Sequence, residues 1–195
     1  MSQISVRQLV NPSSEELDKA AETLAASFEN DVFTFCCIGG DKPQNLLFQR
    51  ATLAAAAVAG QIWVASHGDN EFAAVAAWYG PGRGLLDSPD QGEAGFNAMF
   101  AAFPIELTRW WTEYYGAMCV TALGEGTKVN GWHLQLLGTH PKHQNQGLAK
   151  AVTAPILEKA KEDNKILCLE TATEVNASLD LQEDGLEGET RSGTV

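Results

Sequence analysis

The stretch from Gly138 to Lys150 has the residue types and spacing of a loop that can grip phosphate. It lies between an apolar run typical of a strand and a run with helical spacing. The first N–H groups of a helix have no partner inside it, and the peptide dipoles place partial positive charge there. Gly147 would let an anion approach the main chain, and Ala149 is small enough to keep the next turn open. This stretch therefore predicts a site for a phosphorylated ligand.

Three residues of this stretch, Gln144, Gly147 and Ala149, form a Gln-x-x-Gly-x-Ala pattern. Gln144 could brace the loop or donate to a phosphate oxygen, and Lys150 would add a positive charge. The pattern lacks the Gly-Lys-Ser/Thr ending of a nucleotide P-loop and the full glycine set of a dinucleotide-binding fingerprint. A glycine-containing turn is also typical of an ordinary loop before a helix, so that alternative stays open.

Hydrophobic spacing predicts the elements that position this loop. A strand is predicted over 131–139 and a helix from about 147 to 163, followed by a buried strand over 166–171 that carries Glu170. Alternation along the first strand divides its side chains between two faces: Trp132, Leu134 and Leu136 on one, and His133, Gln135 and Leu137 on the other. The loop would therefore join a strand to a helix.

The N-terminal half predicts further helices and strands. A short strand is indicated near 4–7, and the pair Ser13 and Glu16 forms a capping box that begins a helix. A second helix covers about 43–59 and ends at Gly60, and the runs 61–66 and 71–79 predict an antiparallel hairpin. Two more helices are predicted near 93–103 and 105–117. The second holds a cluster of Trp and Tyr rings that could pack in the core or wall a pocket.

Composition limits the classes of function. The 195 residues, 45% of them hydrophobic, predict one domain. A formal net charge of −12 argues against a nucleic-acid groove, which needs a concentrated basic surface. No run approaches the roughly 20 apolar residues that a membrane span needs. The N-terminus lacks the apolar core of a secretion signal, so we expect a cytoplasmic or nuclear location.

Neither cysteines nor histidines have the spacing of a metal site. The four cysteines, at 36, 37, 119 and 168, match neither a zinc knuckle nor a disulfide-stapled small domain, and we predict free buried thiols. His133, His140 and His143 invite a metal or base interpretation, but they lack the i, i+4 spacing of a helical zinc pair. Cys168 lies in an apolar strand and is predicted to be core. No metal is expected.

The order of strand, Gln-x-x-Gly-x-Ala loop, helix and strand resembles the GNAT superfamily, the N-acyltransferases that use acetyl-coenzyme A. The match extends from Leu134 to Asn176. The resemblance implies a mixed, largely antiparallel α/β sheet flanked by helices. It also implies that the loop wraps the pyrophosphate of coenzyme A, which would be the acyl-donor substrate.

The resemblance assigns the cofactor contacts residue by residue. Gln144, Gly147 and Ala149 fill the defined positions of the family signature. Backbone groups of Leu137, Gly138 and Thr139 would bind the pantetheine arm. The phosphate loop would be completed by Asn145, Gln146, Leu148 and Lys150, and Asn176 matches a position that often touches the cofactor.

The chain departs from the family pattern after Asn176. Family members commonly carry a tyrosine there as proton donor to the departing thiolate, followed by two strands. This chain has no tyrosine after Tyr115, Asp180 sits about where the tyrosine is expected, and the later residues do not have a strand pattern. We therefore expect a single acyltransferase domain over 1–177 with its C-terminal strands missing, and an acidic, disordered tail over 178–195.

The resemblance implies direct attack of an amine on the thioester in a ternary complex, with backbone donors near Leu137 stabilising the oxyanion. Glu170 is the candidate base, directly or through water, although an ordinary strand-end carboxylate is an equal alternative. Asp180 would be a poor proton donor because an aspartate is normally ionised at neutral pH, and water could serve instead.

Two functions follow from the sequence. The first is an N-acetyltransferase acting on a small-molecule or peptide amine, with residues 82–130 shaping the acceptor pocket. The alternative is a non-catalytic coenzyme A-binding or interaction protein derived from a truncated GNAT domain. Missing closing strands would leave a sheet edge exposed, which favours a homodimer. Neither nucleic acid nor membrane is expected as a partner.

Overall fold

The computed structural model describes residues 3–170, apart from the side chains of residues 122 and 123. Within these residues, five strands form one sheet in chain order: β1 (Ile4–Leu9), β2 (Gln61–His67), β3 (Asn70–Tyr79), β4 (Trp132–Thr139) and β5 (Leu167–Leu169). The first four strands pair antiparallel, and β5 is parallel to β4. This arrangement confirms the predicted mixed, largely antiparallel α/β sheet flanked by helices.

Several predictions concern residues outside the described range. They are the cofactor contact of Asn176, the position of Asp180, the acidic tail over 178–195 and the missing closing strands. All of them stay predictions.

One face of the sheet is covered by α1 (Ser14–Ser27), followed in the chain by the short α2 (Val32–Cys37) and by α3 (Asn45–Ala59). The predicted capping box begins α1, because the Ser13 hydroxyl accepts from the Glu16 N–H and the Glu16 carboxylate accepts from the Ser13 N–H. The end of α3 at Gly60 is also as predicted. A Cβ at Gly60 would lie 2.3 Å from the Trp78 carbonyl oxygen, so glycine is needed there.

The segment between β3 and β4 is helical over much of its length. It contains α4 (Pro89–Gln91), α5 (Asn97–Ala102), α6 (Ile105–Arg109), α7 (Gly116–Leu123) and α8 (Thr127–Asn130), with π-helical turns at Gly92–Phe96 and Trp110–Tyr115. Trp111 is buried beside Phe48 and Phe96, and its Nε1 donates to the Cys37 carbonyl at 2.9 Å. Core packing is therefore the role of Trp111.

The crossover from β4 to β5 runs through α9 (Leu148–Glu162), which covers the opposite face of the sheet. A parallel pair of strands requires such a crossover. Leu148, Val152 and Ile156 of α9 are buried against Trp132 and Leu134 of β4. The helix predicted over about 147–163 is thus confirmed within one residue at each end.

A β-bulge at Gln135 changes the faces predicted for β4. Ala77 of β3 pairs with Leu136 and Trp78 pairs with Leu134, so Gln135 is the extra residue. After the bulge, Leu136 packs in the core of α1 and α3, while Leu137 packs on the α9 side with Trp132 and Leu134. The prediction that Leu136 shares a face with Trp132 and Leu134 is therefore wrong, because one inserted residue reverses a period-two pattern.

No helix within residues 3–170 is both long and apolar enough to cross a membrane.

Candidate functional site

Within residues 3–170, strands β4 and β5 pair over three residues. The pairs are Trp132 with Leu167, His133 with Cys168, and Leu134 with Leu169. Within residues 3–170, β4 continues to Thr139 with pairing to β3 alone. An unpaired strand edge presents N–H and C=O groups that can bind an extended ligand. Leu137, Gly138 and Thr139, the predicted pantetheine contacts, lie on this part of β4.

One buried polar atom lies just after the last described β4–β5 pair. The side-chain carbonyl oxygen of Gln135, the bulge residue, is buried and has no hydrogen-bond partner among the described residues. Buried acceptors in native proteins are normally satisfied. A ligand N–H could therefore satisfy this oxygen beside the β4 edge.

Gly138 of β4 packs against α1. A Cβ at Gly138 would lie 2.8 Å from Cδ2 of Leu24 and 3.1 Å from Cβ of Ser27. Glycine at this position thus lets the C-terminal end of α1 approach the strand closely. The end of α1 and the open edge of β4 meet at Gly138.

The predicted phosphate loop leads directly into the start of α9. A 3₁₀ turn at Pro141–His143 is followed by Asn145 and Gly147, which have positive φ angles of 59° and 79°. The α9 ladder begins where the Ala151 N–H donates to the Gly147 carbonyl at 3.0 Å. The N–H groups of the residues before Ala151 have no carbonyl partner within the helix. The N-cap residue is Gly147, which has no side chain that could cap the helix.

The loop is open to solvent at this helix start. Nothing lies within 4 Å of a Cβ built on Gly147, and Gln144, Asn145 and Gln146 are exposed. Leu148 is the exception: its side chain is buried in the core, so only its main chain is placed to contact a ligand. Gln144 Nε2 lies 3.4 Å from the Thr139 carbonyl, which ties the loop back to β4. Both roles predicted for Gln144 remain compatible with this contact.

The sequence around the loop lacks acidic residues, although the chain as a whole is acidic. Between Glu125 and Glu158 the sequence has no acidic residue and has lysines at 128, 142 and 150. Nδ1 of His143 lies 3.3 Å from Nδ1 of His67, at the end of β2. Partial burial and then the nearby His67, His140 and Lys142 lower the pKa of His143. Within residues 3–170, no group of three or more His, Cys, Asp or Glu could hold a metal ion.

Glu170 directly follows β5 and the last described β4–β5 pair. Its Oε2 lies 2.6 Å from Nε2 of His133, and its Oε1 forms an ion pair with Lys128. His133 is 2% exposed and the Glu170 side chain 32%. Burial raises the pKa of Glu170, but the hydrogen bond and charge of His133 and the charge of Lys128 outweigh it and lower the pKa to about 2. The carboxylate is therefore ionised at neutral pH.

The thiols near Glu170 are protonated at neutral pH. Burial, and then the nearby Glu170 carboxylate, raise the pKa of Cys168 to about 11. Burial also raises the pKa of Cys119, against the opposing charge of Lys128. A protonated thiol is a poor nucleophile, so the surroundings of Glu170 do not favour a covalent thioester on the protein.

Comparisons with known proteins identify the fold. No protein-family model matches this sequence, and a comparison with curated proteins finds no match. Among solved structures, a histone acetyltransferase HPA2 and related acetyltransferase from Corynebacterium glutamicum is 20% identical with a TM-score of 0.57, covering 92% of this chain and 82% of that one. A mosquito arylalkylamine N-acetyltransferase like 5b is 16% identical with a TM-score of 0.54, covering 91% and 80%. A GCN5-related N-acetyltransferase from Ralstonia eutropha is 14% identical with a TM-score of 0.52, covering 99% of each chain.

The chain has the GNAT fold. The resemblance inferred from the Gln144, Gly147 and Ala149 pattern is confirmed at this level. The GNAT fold of this chain carries the open edge of β4 and the exposed start of α9 on consecutive elements, with Glu170 on the neighbouring strand.

Two neighbours of Glu170 could not be predicted from the sequence. Lys128 and His133 lie 42 and 37 positions away in the sequence, so no local pattern links them to Glu170. Strand alternation could have linked His133 to Glu170, but only with the register of β4 and β5 known. In that register His133 lies opposite Cys168, on the same face as Glu170.

Proposed function

We propose that this GNAT-fold protein transfers an acetyl group from acetyl-coenzyme A to an amine. The observation that carries the proposal is the edge of β4 beyond the last described β4–β5 pair, which lies beside the uncapped start of α9. An extended thioester arm could pair with the free edge of β4 while a diphosphate meets the helix start. The GNAT fold of the acetyltransferases named above supports the same activity.

The donor would be held along one continuous path. The loop from Gln144 to Lys150 would bind the diphosphate. Gly147 of this loop has no side chain, so the anion could reach the main chain. Leu137, Gly138 and Thr139 would pair with the pantetheine arm, whose amide N–H groups could satisfy the buried Gln135 oxygen. Asn176 belongs to the proposal as a further contact.

The acceptor is proposed to be an amine bound near residues 82–130. One structural neighbour is named for arylalkylamines, and an AAC(6')-Iy structure, 11% identical with a TM-score of 0.50, holds the bisubstrate analogue CoA-S-monomethyl-acetylneamine. These names support a small-molecule amine, and a peptide amine remains the alternative class.

The proposed reaction needs no covalent intermediate on the protein. The amine nitrogen forms a bond to the thioester carbonyl carbon, the carbon–sulfur bond breaks, and the thiolate leaves and takes a proton from water. The proton lost by the nitrogen passes to Glu170, directly or through water. Backbone N–H groups near Leu137 would stabilise the oxyanion. The protonated state of Cys119 and Cys168 supports this direct route.

A second candidate is a coenzyme A-binding protein without turnover. It is favoured by the contacts of Glu170, because a carboxylate held by Lys128 and His133 with a pKa of about 2 is a weak base. The two candidates differ in turnover and not in cofactor binding.

A coupled thiol-release assay with acetyl-coenzyme A and a panel of small amines and peptides separates the two. The acetyltransferase proposal predicts amine-dependent release above the rate without amine, together with an acetylated product detected by mass spectrometry. Tight binding of coenzyme A by calorimetry without release for any amine would support the second candidate and overturn the first.

A further inference from the structure

The carboxylate of Glu170 is held between side chains from two other elements. Lys128 in α8 pairs with Oε1, and His133 in β4 contacts Oε2 at 2.6 Å from its Nε2. An ionised carboxylate only accepts hydrogen bonds, so Nε2 of His133 is the donor in this contact. Both carboxylate oxygens therefore have a partner.

The position of His133 follows from the strand register. Trp132 N–H donates to the Ile166 carbonyl at 2.9 Å, and a Cβ at Gly131 would lie 2.5 Å from the same oxygen. These contacts fix the start of the β4–β5 pair. His133 then lies opposite Cys168, on the same face as Glu170, and is too buried to turn toward solvent.

We propose that His133 is a positioning residue that, together with Lys128, holds the Glu170 carboxylate in one orientation for proton transfer. The inference rests on the proposed acetyl transfer and deepens it. Glu170 is the first residue after the last described β4–β5 pair, and an unrestrained side chain there could adopt several rotamers. A donor on each oxygen limits its rotation. Placement within about 1 Å can change a rate by about 100-fold.

Several other titratable groups surround this carboxylate. Cys168 lies on the same strand, and Cys119 of α7 and Tyr115 of the preceding π-helical turn interact with it electrostatically. All three have raised pKa values, chiefly through burial, and are neutral at pH 7. The neutral Cys119 thiol also forms a hydrogen bond with Glu170, and Lys128 and His133 supply the N–H donors that hold the carboxylate at that pH.

The test compares two substitutions of similar size at one position. His133→Gln keeps an N–H donor near the place of Nε2, whereas His133→Leu removes it. We expect His133→Leu to lower kcat by about 10- to 100-fold with an unchanged KM for acetyl-coenzyme A, and His133→Gln to restore most of the loss. Without the His133 donor the pKa of Glu170 rises from about 2 toward 4.5, so the acid limb that Glu170 causes below pH 5 should move to higher pH in the Leu variant.

A second variant keeps the proposal testable if the buried position does not tolerate change. Lys128 is 26% exposed, so Lys128→Met should fold and should also lower kcat, with Lys128→Arg as its matched control. Equal kcat losses and unshifted pH profiles in His133→Gln and His133→Leu would indicate a merely structural role and overturn the proposal. Wild-type kcat in Lys128→Met would overturn the part played by Lys128.

The test also distinguishes this inference from the proposed function. If the wild-type protein releases thiol and Glu170→Gln does so equally well, acetyl transfer stands and the positioning role fails. If the wild-type protein releases none with any amine, acetyl transfer itself fails. Nitrogen NMR of the His133 ring then still reports whether Nε2 carries the proton that the contact with Glu170 requires.

Discussion

The Glu170 carboxylate experiences opposing effects from its surroundings. Burial favours the neutral acid, whereas the His133 hydrogen bond and the Lys128 charge favour the anion and prevail. A group with a pKa of about 2 does not change its ionisation between pH 5 and 8. Any acid limb of the wild-type rate in that range must therefore come from another group, such as the acceptor amine.

The same shift predicts how folding stability depends on pH. The pKa of Glu170 is lowered from 4.5 to about 2, so the anion stabilises the folded state at every pH above 4.5. That contribution is lost as the pH falls from 4.5 toward 2. We expect the difference in unfolding free energy between wild type and Glu170→Gln to be constant above pH 4.5 and to shrink below it.

Urea unfolding of both proteins at several pH values measures this difference. The other carboxylates titrate in both proteins and cancel in the comparison. A difference that grows as the pH falls toward 2 would show that Glu170 is not held as an anion in the folded state.

At the scale of elements, close approach of α1 to β4 depends on Gly138. A methyl group there would meet Leu24 and Ser27 at 2.8 and 3.1 Å. We expect Gly138→Ala to lower the free energy of unfolding by about 1–3 kcal/mol, because α1 must move away from the strand. Thermal and urea unfolding measure the change.

Gly116 provides a matched control for this substitution. It has helical φ and ψ angles of −60° and −43°, and nothing lies within 4 Å of an added Cβ. Gly116→Ala should therefore raise stability by about 0.5–1 kcal/mol. Equal effects of the two substitutions would contradict the assigned contact of Gly138 with α1.

A negative charge at the start of α9 should raise folding stability and lower the affinity for coenzyme A. Ala149 is exposed in the first turn, where a negative charge favours the helix dipole by about 0.3–1 kcal/mol. Ala149→Asp should therefore stabilise the protein but weaken coenzyme A binding, because the carboxylate repels the diphosphate. Ala149→Asn has a similar shape without the charge and should bind more tightly than the Asp variant. Equal coenzyme A affinity in the two variants, measured by calorimetry, would contradict an anion site at α9.

Regular elements could be predicted from the sequence because their signals are local. The capping box of Ser13 and Glu16, the helix end at Gly60 and the strand before Pro141 all depend on nearby residues. The bulge at Gln135 could not be predicted, since it depends on how β4 pairs with β3, and alternation in one strand carries no register. The π-helical turn at Trp110–Tyr115 was missed because its aromatic residues also fit an ordinary helix.

The candidate site likewise has one part that the sequence predicts and one part that it does not. The loop from Gln144 to Lys150 is contiguous, so its pattern was visible in the sequence. The contacts of Glu170 with Lys128 and His133 join α8, β4 and the end of β5, and they arise only when the strands pair. Long-range ion pairs of this kind leave no periodic trace in a single sequence.

For the whole molecule, the central question is how a chain of net charge −12 would hold the proposed anionic ligand. Main-chain amides at an open helix start would attract it, in a stretch without acidic residues from 126 to 157. Fixed dipoles at short range can oppose a distributed net charge, which is partly screened by salt. Binding should therefore depend on the diphosphate itself.

Calorimetric titration of wild type and Gly147→Val with coenzyme A tests this claim most directly, with dephospho-coenzyme A and pantetheine as comparison ligands. A branched side chain at φ 79° is strained and would stand where the anion approaches. We predict that wild type binds both diphosphate ligands and binds pantetheine much more weakly. The Val variant, still folded by circular dichroism, should lose at least about tenfold in coenzyme A affinity, since one charge-assisted hydrogen bond contributes about 1.5–3 kcal/mol. Equal affinity of both proteins for coenzyme A, or equal affinity of wild type for pantetheine and coenzyme A, would contradict the account.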